Sequence, residues 1–279
     1  MRAAAVQLNS TQDRRRNLDA AEHLTRAAAA DGAELVLLPE RVDMRGGHDD
    51  YVANAAPIDR HPTVDWARGL ASDLGIDLIA GSTSERREGR DKLSNVSVHL
   101  GPDGQVKAVY RKIHLFDVQV GDIEYLESAS DESGDQIVVT ELADGTRTGL
   151  SICYDLRFPE LYRIMAVQGA RVLTVPANFT HPTGSAHWEV LLRARAVEDQ
   201  AFVIAAGQVG DHPGDMGRMY GNSMIVDPWG DVLARADDTA ETYVAADLDY
   251  SRQDEIRAKL PSLAGRVPAA YRWPEGATV

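Results

Sequence analysis

Three stretches of this chain occur twice in the same order, and that repetition limits the fold more than any other feature. Gly32-Ala33-Glu34-Leu35-Val36-Leu37-Leu38-Pro39 resembles Gly169-Ala170-Arg171-Val172-Leu173-Thr174-Val175-Pro176, 137 positions later. Leu78-Ile79-Ala80-Gly81 resembles Ile204-Ala205-Ala206-Gly207 at an offset of 126, and Asn95 to Gly104 resembles Asn222 to Gly230 at 127 falling to 126. Nearly constant offsets over three elements imply two similar β-α-β-β halves. If each half lays its helices on one face of its sheet and buries the other face against its twin, a four-layer α-β-β-α sandwich results. Reactive groups then belong at the carboxyl ends of the central strands.

Local patterns fit this α/β plan. Arg2 to Leu8 reads as a first strand. Thr11 to Asp31 carries Leu18, Ala21, Leu24 and Ala28 at helical spacing, with Asn9 or Ser10 as cap. The run from Glu34 to Leu38 is continuously apolar after its first residue, the mark of a strand buried on both faces. A helix over Thr63–Leu74 and a strand over Ile76–Ala80 follow. Strands near Ser94–Leu100 and Gln105–Tyr110 flank the turn Gly101-Pro102-Asp103-Gly104. No low-complexity linker interrupts the pattern, so residues 1–279 read as one domain with a C-terminal extension from about 250.

Composition removes several function classes. The longest apolar runs are four to six residues, against roughly 18 for a membrane span. With 29 basic and 43 acidic side chains the net charge is −14, which speaks against nucleic acid, since backbone binding needs a basic face. Gln7 and Asn9 break the N-terminal apolar stretch too early for an export signal, so a cytoplasmic location is expected. The lone cysteine, Cys153, excludes an intrachain disulfide framework and a multi-cysteine zinc site. His212 with Asp211 and Asp215 is too sparse for a metal site. Neither a metal nor a cofactor is expected.

Three residues are placed for chemistry. Cys153 ends an apolar strand, with a helix pattern from about Arg157 that puts Leu161, Ile164 and Met165 on one face. Turn N–H groups and a helix start there would favour a thiolate. Glu40 follows Leu37-Leu38-Pro39 directly, at the mouth of its sheet. Lys112 is one of only four lysines against 25 arginines, which hints at a role for a compact ammonium. Each has an inert alternative: a packing thiol, a surface turn acid, a solvated lysine.

Taken together, Leu-Pro-Glu (38–40), Tyr-Arg-Lys-Ile-His-Leu-Phe-Asp (110–117) and Gly-Leu-Ser-Ile-Cys-Tyr-Asp-Leu-Arg-Phe-Pro-Glu-Leu (149–161) resemble the three signature segments of the nitrilase superfamily of carbon–nitrogen hydrolases. The likeness continues through Pro182 to Glu189, Arg193 to Ala196, Tyr220 to Met224 and Asp227 to Gly230, so it covers nearly the whole chain. Cys-Tyr-Asp-Leu-Arg-Phe-Pro-Glu is unlike the Cys-Trp-Glu form of nitrile hydrolysers and is similar to the branch of omega-amidases and deaminated-glutathione amidases. One segment departs: Arg41-Val42-Asp43-Met44-Arg45 stands where relatives often carry small, aromatic or amide residues.

The resemblance implies the same sandwich, with Cys153 as nucleophile, Glu40 as general base and Lys112 as oxyanion stabiliser. It also implies that Glu127 is an additional active-site glutamate, orienting Lys112 or the attacking water. The backbone N–H of Tyr154 is expected as a second oxyanion donor. A free thiol and a free glutamate differ by ~4 pKa units, about 5.7 kcal/mol, so the Lys112 ammonium is expected to lower the thiol. By symmetry with the strand ending at Glu40, Asn178, Phe179 and Thr180 are expected to line the substrate pocket, and Arg41 or Arg45 to anchor a substrate carboxylate. His114 is read as orienting its loop, Arg157 and Glu160 as an ion pair, and His187 and Trp188 as opening a helix with Val190, Leu191, Ala194 and Val197 spaced for the core. The expected reaction is cofactor-free hydrolysis of a small amide through a cysteine thioester, with release of ammonia. N-carbamoyl or nitrile hydrolysis on the same residues, or a thiol hydrolase pairing Cys153 with His187 or His114, are the alternatives. A homodimer or larger assembly, paired through the faces bearing the Cys153 helix, is implied.

Overall fold

The computed structural model describes residues 1–213 and 217–272. Strands β1 (Arg2–Gln7), β2 (Leu35–Leu37), β3 (Asp77–Ile79), β4 (Thr83–Glu85), β5 (Ser94–Leu100) and β6 (Val106–Arg111) build one sheet. Strands β7 (Asp117–Val120) and β8 (Ile123–Leu126) form a separate hairpin. The second sheet holds β9 (Val138–Glu141), β10 (Arg147–Leu150), β11 (Val172–Ala177) and β12 (Phe202–Gly207). After a short hairpin of β13 (Val209–Asp211) and β14 (Arg218–Tyr220), β15 (Met224–Val226) and β16 (Val232–Arg235) complete it. Strand β17 (Thr242–Asp247) returns to the first sheet beside β1.

The spatial order makes the repeat visible. In the first sheet β1, β2 and β3 are parallel neighbours, followed by antiparallel β5 and β6. In the second, β10, β11 and β12 are parallel, followed by antiparallel β15 and β16. Each first strand carries an antiparallel outer neighbour, β17 on β1 and β9 on β10. Alternation along the central strands separates two cores. Ala4, Val6, Val36 and Leu38 pack with helix α1 (Arg14–Ala30) and the α3 helix (Pro62–Leu74), which lies beyond a short α2 (His48–Asn54). Ala3, Ala5, Leu35 and Leu37 join the second sheet and helices α4 (Pro159–Val167) and α5 (His181–Asp199) in the other. The architecture is the expected α-β-β-α sandwich. Helix α6 (Tyr250–Lys259) follows β17, with Gln253 buried and donating to the carbonyls of Arg171 and Gln200.

Three expectations need correction. Helix α1 starts at Arg14 with Asp13 as its cap, accepting from the Arg16 N–H at 3.1 Å. Asn9 and Ser10 are engaged elsewhere: the Asn9 N–H donates to Glu241, and Ser10 bonds Gln208 and Val42. In α5 the buried face is Trp188, Leu192, Arg195, Ala196 and Asp199, while Val190 and Val197 are 60% and 46% exposed. Next to Cys153 the chain makes a single 3₁₀ turn, Cys153–Arg157, before α4 begins at Pro159, and Ile164 points outward.

The carboxyl ends of β2, β6, β10 and β11 lie at one end of the sandwich, so Glu40, Lys112, Cys153 and Asn178 leave their strands on the same side. The turn carrying Glu40 is braced by the link between β3 and β4. Ser82 accepts the Arg41 N–H on its hydroxyl and the Val42 N–H on its carbonyl, both at 3.0 Å. Gly81 makes this approach possible: its φ is +60°, and a Cβ would stand 2.0 Å from the Pro39 carbonyl oxygen. Left-handed backbone costs an alanine roughly 1–2 kcal/mol before any clash. Gly81→Ala is therefore expected to lose more stability than that in urea melts and to lower turnover at saturating substrate. A variant as stable and as active as the parent would show that the brace does not position Glu40.

Candidate active site

Cys153 takes a left-handed backbone conformation, φ +50°, that a non-glycine residue adopts only where its surroundings enforce it. The enforcing group is Asp155, fully buried two residues later in the same turn. Its Oδ2 accepts the Ile152 N–H at 2.8 Å and the Tyr110 hydroxyl at 2.7 Å. Its Oδ1 accepts the His114 N–H at 3.1 Å and lies 2.7 Å from His114 Nδ1. One carboxylate thus ties the cysteine turn to the segment that carries Lys112. His114 stacks flat on Phe158 at 3.5 Å and orients its loop as expected.

Lys112, 2% exposed, is held by two carboxylates. Its Nζ donates to Glu40 Oε1 at 3.0 Å and to Glu127 Oε1 and Oε2 at 3.1 and 2.7 Å. Asn95 on β5, also buried, donates its amide to Glu40 at 2.9 Å and to Glu127 at 3.1 Å. Burial alone would discharge such an ammonium, but Glu127 and Glu40 outweigh it and hold Lys112 well above the ordinary lysine range. Burial likewise opposes a charged Glu127, yet Lys112, Arg41 and the Phe116 N–H keep it below the usual carboxylate range.

The sulfur of Cys153 faces Glu40 and the backbone N–H of Asn178 on the same cavity floor. Here the expected lowering of the thiol is reversed. Burial, then the adjacent Glu40 charge, pushes it well above its ordinary value, and Lys112 and the Asn178 N–H offset only part of this. The resting group is a neutral thiol facing a carboxylate.

These residues form the floor of a cavity of about 490 Å³. Tyr154, Asn178, Phe179 and Thr180 line it, as do Phe116, Tyr51 and Arg157. The two candidate anchors separate. Arg45 is fully buried away from the cavity, donating to the carbonyls of Ser10 and Asp211 at 2.8 and 2.9 Å and to Asn9, and burial lowers it to about 10. Arg41 does line the cavity but is committed to Asp131 at 3.2 Å and to Ser84. Arg157 makes no ion pair with Glu160; it lies over the rings of Tyr154 and Phe179, and its Nη1 is 3.2 Å from His187. His187 is exposed rather than packed, so of the pair only Trp188 serves the core. His212 borders the cavity, lowered to about 4 chiefly by burial. Asp215 lies outside the described residues. Among the described residues no cluster is arranged to hold a metal ion.

Asn95, Asp155 and the Arg41–Asp131 pair were not singled out from sequence. For Asn95 a signal existed, an amide at the second position of a strand buried along its full length.

Residues 2–258 match the carbon-nitrogen hydrolase family. A deaminated glutathione amidase from Synechocystis is 40% identical over 95% of this chain and 97% of its own length. The human omega-amidase is 39% identical over 93% of this chain and 91% of its own. Among solved structures, a mutant of the amidase from Nesterenkonia sp. AN1, with acrylamide added at its active-site cysteine, superposes with a TM-score of 0.76 at 27% identity. That match covers 94% of this chain and 98% of the other. With a cysteine, a lysine and carboxylates meeting on one cavity floor and a family match spanning β1 to α6, this chain belongs to the carbon-nitrogen hydrolases of the nitrilase superfamily, in its amidase branch.

Proposed function

We propose that the protein hydrolyses small linear amides bearing a carboxylate, through a thioester on Cys153. The observation that carries the reading is the meeting of Glu40, Lys112 and Cys153 on one cavity floor, with Glu40 3.0 Å from the Lys112 ammonium. Because burial disfavours a stored thiolate, the thiol proton passes to Glu40 only as sulfur attacks the amide carbon. The developing oxyanion is held by Lys112 Nζ and the Tyr154 backbone N–H. Protonated Glu40 then gives its proton to the departing amine, which leaves as ammonia. Water, deprotonated by Glu40, attacks the thioester and restores the thiol. Glu127 keeps Lys112 aimed at the oxyanion.

Arg157 supports the choice of an acidic amide. It is a cavity-lining cation held against Tyr154 and Phe179, without an ion pair among the described residues. An acidic protein does not draw anions from a distance, so a local guanidinium is needed. Exposed Ile164 and Val167 on α4 and Val190 and Val197 on α5 suit pairing with a second copy of the chain. No helix among the described residues is long and apolar enough to cross a membrane, and a lone working thiol fits the reducing cytoplasm.

Cys153→Ala is expected to abolish ammonia release while keeping the native melt, and Lys112→Met to lower kcat by roughly 10²–10³. Slow substrates should leave an acyl mass on the wild-type chain. Normal turnover by Cys153→Ala would end this reading. Arg157→Met should raise KM for acidic amides about tenfold or more and leave neutral amides unchanged; an equal effect on both would remove Arg157 as the anchor. Finally, alkylation of Cys153 by iodoacetamide should run at a constant rate from neutral to mildly alkaline pH and fall in acid. A rise centred near ~8.5, as for a free cysteine, would mean that Glu40 does not take the proton.

A further inference from the structure

Arg41 follows Glu40 directly, and its surroundings are unusual for a side chain lining a reaction cavity. It is 5% exposed. Its guanidinium lies 4.2 Å over the ring of Tyr51 from α2, while its Nη1 donates to Ser84 of β4. Its Nη2 faces two acids at once, Asp131 Oδ1 at 3.2 Å and Glu127 Oε1 at 3.8 Å. Asp131, fully buried, takes its other bond from the Ser130 hydroxyl at 2.6 Å. These contacts fix the guanidinium beside Glu127 and leave it poorly free to turn toward a ligand.

The charge arrangement gives this contact a purpose. Glu40 and Glu127 share one ammonium and one amide, Lys112 and Asn95. Two carboxylates in one buried site resist being charged together, and one lysine between them neutralises only one. We propose that Arg41 is a positioning residue of this site: fixed by Asp131, Ser84 and Tyr51, it supplies the second cation that lets Glu127 and Glu40 remain anionic together. Lys112 then stays bound to Glu127 and points at the oxyanion, and Glu40 stays free to take the thiol proton. Among the described residues no hydrogen bond or ion pair joins Arg41 to Cys153.

The groups facing the pair from every side are few. Lys112 comes from the end of β6, Asn95 from β5, the Phe116 N–H from the following loop, Arg41 from the turn after β2, and the Cys153 thiol from the turn after β10. Tyr51, His48 and His212 border the same cavity. Because Lys112 and Asn95 bridge Glu40 and Glu127, a change of charge at Glu127 is felt at the base, and the acid limb of activity reports the bridged site as a whole.

The inference rests on Glu40 acting as the base, and three variants test it against the pH profile of kcat. Arg41→Met should move the acid limb to higher pH by about one unit, with kcat down and KM for acidic amides within about twofold. Asp131→Asn, which leaves the guanidinium to Glu127 alone, should move the limb the opposite way. Arg41→Lys should restore the parental limb. A purely structural role would damage both Arg41→Met and Asp131→Asn without opposed shifts, and a substrate anchor would raise KM with the limb unmoved; either result overturns the proposal. If Arg41→Met fails to fold, the downward shift in Asp131→Asn and the Arg41→Lys profile still decide. The acid limb of Cys153 alkylation is measured in parallel and needs no amide. If the wild type releases no ammonia but these limbs shift in opposite directions, the amidase reading fails and the role of Arg41 stands. If ammonia is released and the limbs do not move, the reverse holds.

Discussion

A lysine ammonium buried to 2% exposure is the constraint on which the site and much of the fold depend. Removing such a charge from water is tolerated only where opposite charges and hydrogen bonds replace the lost hydration. Lys112 therefore requires Glu40 and Glu127 within bonding distance, and each arrives on a different element: the turn after β2 and the 3₁₀ turn after β8. Asn95, buried and donating to both acids, completes the shell. The groups that make the site reactive are thus also the groups that make its burial affordable. Mutating one leaves an uncompensated charge as well as a missing function, so deletion of a single member reports both effects together.

The thiol shows the same physics with the opposite outcome. Lys112 and the Asn178 N–H favour a thiolate, but the sulfur is buried and also faces Glu40, and burial with that carboxylate wins. An arrangement with a neutral thiol and a waiting base places the charge change inside the chemical step. In the proposed reaction, charge moves from Glu40 to the oxyanion as the C–S bond forms, without an unpaired anion appearing on sulfur. In a low-dielectric cavity this ordering avoids the desolvation cost of a free thiolate.

Much of this was legible in the sequence because the relevant signals are local and periodic. Continuous apolar runs marked the buried strands, and their repetition marked two sheets sharing a core. The failures share one cause, since bonds made across the two halves leave no local trace. Asn9 and Ser10 read as caps, but their polar groups are taken by Glu241, Gln208 and Val42 from distant segments. The α5 face was misread because Arg195 is buried, donating to the Leu156 carbonyl and lying over Tyr162, while valines point outward. Arg157 closes a 3₁₀ turn and Glu160 opens α4, so the spacing that suggested an ion pair does not place them on a common helix face. Arg45 was read as a ligand group from its neighbourhood to Glu40, yet three backbone and side-chain oxygens already claim it.

The two halves are alike as scaffolds and unlike in chemistry. Glu40 corresponds, 137 positions on, to Ala177, and Asn95 corresponds at 127 to Asn222, whose amide serves Tyr220 and Arg235 instead. The first half brings the charges, Glu40, Lys112 and, in the connection that follows it, Glu127; the second brings the sulfur and the Asn178 N–H. Neither half contains the whole site, because acid, cation and thiol meet only where the carboxyl ends of the two sheets face each other. Asp155 is the group that fixes this meeting, a second-half carboxylate bonded to Tyr110 and His114 of the lysine segment at 2.7 Å each. An apolar core can repack around a slip of one sheet past the other by about an ångström, but such a slip would stretch those bonds past hydrogen-bond range and part the thiol from Glu40. The polar tie, more than the sheet packing, therefore sets the precision of the site.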